Sequence, residues 1–110
     1  IMKIYKEERP WGDFERFTLN EPSTVKMITV KDGEEFSLQY HKNRVEFWKI
    51  LTDSGTIMIG ENIFNGKKGD EYTIDHNVLH RVKGPCVFLE IATGDFDEAD
   101  IVRVADDYNR

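Results

Sequence analysis

Ser37-Leu38-Gln39-Tyr40-His41-Lys42-Asn43-Arg44-Val45-Glu46-Phe47-Trp48-Lys49-Ile50-Leu51 holds two runs in which side-chain character alternates residue by residue, joined by a polar break. Alternation of that kind is the period of a β-strand, whose successive side chains point to opposite faces. In the first run Ser37, Gln39 and His41 share one face, while Phe36, Leu38 and Tyr40 share the other. In the second, Arg44, Glu46, Trp48 and Ile50 fall together, opposite Val45, Phe47, Lys49 and Leu51. Lys49 marks its own face as the wetter one, so Glu46 is expected to point inward beside Trp48 and Ile50. A buried carboxylate is costly unless it is paired or bound to a metal.

The same short rhythm extends along the chain. Turn signals recur at Asp32-Gly33, Asp53-Ser54-Gly55, Gly60-Glu61-Asn62, Lys68-Gly69-Asp70, Lys83-Gly84-Pro85 and Thr93-Gly94-Asp95. The intervening runs are too short for ordinary helices and rich in Val, Ile, Thr, Phe and Tyr, which is the pattern of an all-β sandwich or barrel. Strands are expected at 13–18, 25–30, 35–41, 45–52, 55–59, 62–65, 71–74, 80–83 and 87–93. The acidic, then apolar tail from Asp97 reads as a short helical turn followed by a segment packed on the barrel. No repeat or low-complexity tract interrupts the chain, and one domain is expected over residues 1–110.

Composition narrows the function classes. The chain has 110 residues, 39% hydrophobic and 33% charged, as expected of a globular domain with its own core. A net charge of −6 argues against a general nucleic-acid surface, which needs a basic stripe. No apolar run approaches the roughly 18 residues that span a bilayer, and no leader is evident, so no membrane partner is expected and the cytoplasm is the default address. Cys86 has no cysteine to pair with and lies in a Val/Phe/Leu-rich run, where it packs as a small hydrophobe.

Gln39, His41 and Glu46, with His80 opening a later run, supply four candidate ligands for one divalent ion. An amide oxygen, a carboxylate and two imidazoles make a mixed N/O set that suits zinc, manganese, iron, cobalt or nickel. A plainer reading competes: three histidines in 110 residues is an ordinary number, and a histidine in a strand is commonly just hydrogen-bonded.

Four blocks then carry a resemblance: Arg9-Pro10-Trp11-Gly12, the Ser37–Trp48 stretch, Ile74-Asp75-His76-Asn77-Val78-Leu79-His80-Arg81, and Asp100-Ile101-Val102-Arg103 with Asp106-Asp107-Tyr108-Asn109-Arg110. In order and spacing they resemble the C-terminal cupin domain of type II phosphomannose isomerases, often fused to mannose-1-phosphate guanylyltransferases. The resemblance implies a double-stranded β-helix, the cupin jelly-roll barrel. It also implies that Gln39, His41, Glu46 and His80 hold a divalent metal, with zinc first in expectation. The implied reaction interconverts mannose 6-phosphate and fructose 6-phosphate, and the implied assembly is a homodimer. An alternative is a non-catalytic cupin that binds a metal or sugar phosphate as a regulatory or accessory module.

The chain departs from that family's usual Gln-x-His-His-His-Arg-x-Glu-His-Trp pattern. Lys42, Asn43 and Phe47 stand where relatives carry histidine, and Asp75 and Asn77 where they often carry Pro and Gly. Arg44 is a candidate to bind substrate phosphate or to pair with a carboxylate. Lys42, in the turn, is a candidate phosphate or proton-transfer group, or merely solvated, and Glu46 is one candidate for the base. Arg81 is expected to alternate outward into an ion pair, His76 to lie on the surface, and Trp11 and Trp48 to serve as core or wall.

Overall fold

In chain order the strands are β1 (Tyr5–Arg9), β2 (Gly12–Arg16), β3 (Ser23–Val30), β4 (Leu38–Tyr40), β5 (Arg44–Ile50), β6 (Thr56–Ile59), β7 (Asn62–Asn65), β8 (Glu71–Ile74), β9 (His80–Lys83), β10 (Cys86–Gly94) and β11 (Val102–Ala105). The computed structural model describes residues 4–94 and 97–108, and no helix occurs among them. Asp95 of the last turn signal, and Asn109 and Arg110 of the closing motif, lie outside the described residues.

The strands form two facing sheets and a hairpin. One sheet has the order β3-β10-β5-β8, the other β11-β4-β9-β6-β7, and β1 pairs with β2 alone. Every named pairing is antiparallel. Neighbours that are far apart in sequence, such as β3 beside β10, give the crossed connections of a double-stranded β-helix, as expected for a jelly-roll barrel.

Inward side chains of both sheets fill the barrel. Trp48, Ile50, Ile57, Val82 and Phe88 are fully enclosed, and Ile74, Val30 and Cys86 complete the cluster. The Trp48 indole is central: its ring lies 4.8 Å from Phe88 and, edge-on, 6.3 Å from Phe36. Burying aromatic rings in offset and edge contacts adds to the stabilisation from the aliphatic core. Cys86 packs there as a small hydrophobe, touched by the Thr52 hydroxyl at 3.8 Å.

The second face of β5 is drier than Lys49 suggested. Val45 and Phe47 are both buried, and the Phe17 ring covers Phe47 at 5.1 Å. Lys49 itself is held by Glu15 at 3.0 Å and Glu71 at 3.4 Å, and Lys6 joins Glu15 at 3.2 Å. The Glu15 and Glu71 carboxylates push the Lys49 ammonium up, and the Lys49 and Lys6 ammonium groups hold the Glu15 carboxyl below its usual range. The β1–β2 hairpin and the segment after it therefore act as a cover that sequence alternation alone did not reveal.

That hairpin explains two further differences. β1 reads Tyr-Lys-Glu-Glu-Arg, with no β-branched residue, and it is a strand because of its partner: Arg16 stacks on Tyr5 at 4.5 Å and Tyr5 meets Phe14 at 6.2 Å. Trp11, expected in core or wall, sits in the hairpin turn and is 74% exposed. At the other end, the packed tail segment is a true strand, β11, whose register with β4 shifts between Arg103 and Ala105. β3 is an edge of its sheet, with Val25 and Met27 both exposed on the outer face.

Candidate metal centre

The strand pairings bring the candidate ligands together. β4 and β9 meet with Gln39 opposite His80, and β5 carries Glu46 on its inward face between Arg44 and Trp48. One ligand atom each from His41, Glu46 and His80 lies within 4.8 Å of the others, and all three residues are buried. The His41 Nε2 to Glu46 Oε2 distance is 3.3 Å and the His80 Nε2 to Glu46 Oε1 distance 3.8 Å. The two imidazole rings are 5.1 Å apart.

Main-chain carbonyls orient both rings. His41 Nδ1 contacts the Asp100 carbonyl at 2.5 Å, and His80 Nδ1 contacts that of Val78 at 2.9 Å. A carbonyl only accepts, so each Nδ1 carries the hydrogen and each Nε2 turns its lone pair toward Glu46. The Arg44 guanidinium donates to His41 Nε2 at 3.1 Å, consistent with that assignment.

Glu46 is held from several sides. Arg44 Nε donates to Oε2 and the Trp48 indole to Oε1, both at 3.1 Å. Burial alone would raise its pKa, but His80, a hydrogen bond with Glu90, His41 and Arg44 outweigh burial and keep Glu46 below the usual carboxylate range. Burial pushes His80 down, toward the neutral imidazole that ligates metal.

Fit to a metal ion can be judged from the donor atoms. His80 Nε2 is buried with no hydrogen-bond partner among the described residues, an arrangement that is normally avoided unless something else occupies that lone pair. It faces a carboxylate and a second imidazole, so the set His41, Glu46 and His80 fits a divalent ion. Gln39 borders the same space: its amide oxygen accepts from the Ser37 hydroxyl at 2.6 Å and its nitrogen lies 3.4 Å from His41 Nε2. A half-turn of the amide would keep the Ser37 contact, with the hydroxyl then accepting, and present oxygen to the ion.

A cavity of about 230 Å³ opens beside the cluster, bordered by Lys26, Gln39, Arg44, Trp48, His80 and Glu90 among others. Larger hollows lie on the β1–β2 hairpin and beside Tyr108, away from the histidines. Lys42 is exposed in the turn and does not border this cavity; its main-chain N–H donates to Asp100. His76 is on the surface beside Asp75, as expected. Arg81 does turn away from the barrel into an ion pair with Glu35 at 3.1 Å, yet its side chain is only 11% exposed, because β11 covers it and Ala105 accepts a further bond. Asn77 has a φ of 63°, and its N–H donates to the His41 carbonyl at 2.8 Å. Asparagine tolerates the left-handed region better than other non-glycine residues, which is why it can stand in that turn.

Glu90 is the group the sequence reading passed over. It lies inward on β10, opposite Trp48, 6% exposed, and shares a hydrogen bond with Glu46. Burial, then the Glu46 charge, push its pKa up to about 8. The available signal was its place on the Cys86, Phe88, Glu90, Ala92 face, otherwise apolar. Such a carboxyl favours the fold most below its ordinary 4.5 and loses that contribution as pH rises toward about 8. Glu90→Gln cannot ionise. The metal-free variant should therefore melt increasingly above wild type between pH 5 and 8, and parallel Tm profiles would contradict the placement.

Over residues 2–106 the chain matches the family described as mannose-6-phosphate isomerase C-terminal. The chain belongs to that family. Relatives similar to it include the xanthan biosynthesis protein XanB of Xanthomonas campestris, 34% identical over 98% of this chain and 24% of that protein. The mannose-1-phosphate guanylyltransferase of Salmonella muenchen is 35% identical over 87% of this chain and 21% of that enzyme. The chain thus spans roughly a quarter of these relatives' length. Among solved structures, a Klebsiella pneumoniae protein with a double-stranded β-helix domain superposes with a TM-score of 0.63 at 17% identity, covering 80% of this chain and 88% of that one. A cupin protein from Bacteroides fragilis gives 0.60 at 20%, covering 71% and 74%. These likenesses show the fold, and the cupin barrel expected from the sequence is the one observed. No helix among the described residues is long and apolar enough to cross a membrane.

Proposed function

We propose that the chain is a metal-dependent aldose–ketose isomerase acting on mannose 6-phosphate and fructose 6-phosphate in the cytoplasm, as a homodimer. The observation that carries this reading is the unpartnered, buried His80 Nε2 facing Glu46 and His41 inside a cavity of the mannose-6-phosphate isomerase C-terminal family. His41, Glu46 and His80, with Gln39 after its amide turns, would hold the ion. When bound, a divalent cation supplies Lewis-acid stabilisation of negative charge on the sugar oxygens, and zinc is the first candidate.

The chain's own residues cover the remaining needs. Isomerisation removes the proton on C2 of the aldose and returns it to C1, while the hydroxyl proton on O2 is exchanged for one on O1. Glu90 borders the cavity and is not required as a ligand, which supports assigning it to take and return the carbon-bound proton. Arg44 and Lys26 both border the cavity and are the cations we assign to the phosphate, Lys26 exchanging its Glu98 partner for it. Trp48 and Phe36 shield the reacting carbons from water. The open β3 edge, with Val25 and Met27 beside it, suits pairing with a second copy.

A second reading has its own support. Histidine is missing at positions 42, 43 and 47, and the chain covers about a quarter of relatives named as guanylyltransferases, so an accessory cupin that binds a metal or sugar phosphate without turnover is the rival. Elemental analysis of purified protein followed by a coupled assay for fructose 6-phosphate formation separates the two. Stoichiometric metal with turnover supports the isomerase; stoichiometric metal without turnover leaves the accessory module.

A further inference from the structure

We propose that Asp100 is a positioning residue of the metal centre, aligning His41 through the turn between β4 and β5; the inference rests on the metal reading above. Its carboxylate accepts from two successive main-chain amides, Lys42 N–H to Oδ1 and Asn43 N–H to Oδ2, both at 2.9 Å. Its own carbonyl meets His41 Nδ1. One residue thus grips both the turn that follows the ligand and the ligand's ring.

The geometry has a chemical consequence. A neutral imidazole can carry its hydrogen on either nitrogen, and the partner of one nitrogen decides what the other offers. With the Asp100 carbonyl on Nδ1, His41 presents the Nε2 lone pair to the cluster; without it, only the Arg44 and Gln39 contacts at Nε2 oppose the Nε2–H form, which cannot ligate through that nitrogen. The carboxylate holds that carbonyl in place together with the β11–β4 pairing two residues on, where Val102 lies opposite Tyr40. Other links of the 97–100 turn are internal, as Asp100 N–H to the Asp97 carbonyl at 2.9 Å, or exposed, as Lys26 to Glu98 at 3.0 Å. The two amide bonds hold the Asp100 carboxyl below the usual range, so both remain charge-assisted at neutral pH. Asn43 departs from the relatives' histidine, yet the bond it makes here comes from its main chain, which any residue but proline supplies.

The test uses the metal-free, ¹⁵N-labelled chain and Asp100→Ala and Asp100→Asn variants, with zinc as the probe. Long-range ¹H–¹⁵N spectra read the tautomer of each histidine, and His80, held separately by Val78, is the internal reference for an intact barrel. Wild type should show Nδ1–H at both rings. Asp100→Ala should shift His41 toward Nε2–H with His80 unchanged and weaken zinc binding about 10–100-fold, the usual cost of losing an outer-shell partner. Asp100→Asn keeps one acceptor oxygen and should recover part of both effects. Unchanged His41 signals and zinc affinity in folded Asp100→Ala would overturn the proposal. A shift of His41 in a chain whose wild type binds no zinc would uphold the positioning and refute the metal reading instead.

Discussion

His80→Ala should leave purified protein with no zinc above background while the chain stays folded. The imidazole is 1% exposed, fixed at Nδ1 by Val78, and aims an unpartnered Nε2 at Glu46. Truncation removes one of three strong donors, and the remaining carboxylate and single imidazole lack the donors a closed site needs. Two effects on the metal-free fold oppose each other. The lost ring leaves a void beside Trp48, whose indole meets it edge-on at 5.5 Å, but the variant no longer buries an unsatisfied nitrogen. The net change in metal-free stability is expected to be small, whereas metal content changes all the way. Elemental analysis with parallel thermal melts checks both halves, and zinc retained at one per chain would remove the assigned ligand set.

Trp48→Ala should produce the largest loss of stability, about 3–5 kcal/mol, the range for deleting a fully buried aromatic side chain. Trp48 has 0% exposure and touches Phe36, Phe88 and His80, so it joins both sheets at the centre of the barrel. It also donates to Glu46 Oε1, so its removal takes a donor from a buried carboxylate. Trp48→Phe separates these roles: it keeps most of the packing but loses the N–H, and should cost about 1.5–3 kcal/mol for a bond to a charged group. Urea denaturation measures both. A loss below about 1 kcal/mol for Trp48→Ala would mean that the indole is not at the core.

Alternation in the 37–51 stretch was enough to place Ser37, Gln39 and His41 on one face and Glu46 on another inward one, because strand parity is a property of the backbone alone. Barrel closure brings those faces together with His80, and that closure was inferred from the family resemblance, not from parity. What parity could not show was cover supplied by distant segments. Phe17 over Phe47 and Glu15 against Lys49 make a dry face look wet in the local pattern. Glu90 was hidden for the opposite reason, as one carboxyl in an apolar run with no local hint that Glu46 lies beside it. Asp100 was visible as a motif residue, but its task depends on a main-chain carbonyl, which no side-chain pattern encodes. Trp11 was misplaced because a tryptophan in a hairpin turn and one in a wall look alike until the hairpin's direction is known.

The cluster draws its donors from the end of β4, from β5 and from β9, segments that adjoin only after both sheets have closed. An extended chain cannot reproduce that constellation, so on the proposed metal reading cation uptake and acquisition of the native barrel are coupled equilibria. Each tenfold excess of free ion over its dissociation constant then deepens the native well by about 1.4 kcal/mol. Calorimetry across a concentration series of different cations would consequently rank their affinities without any knowledge of the substrate.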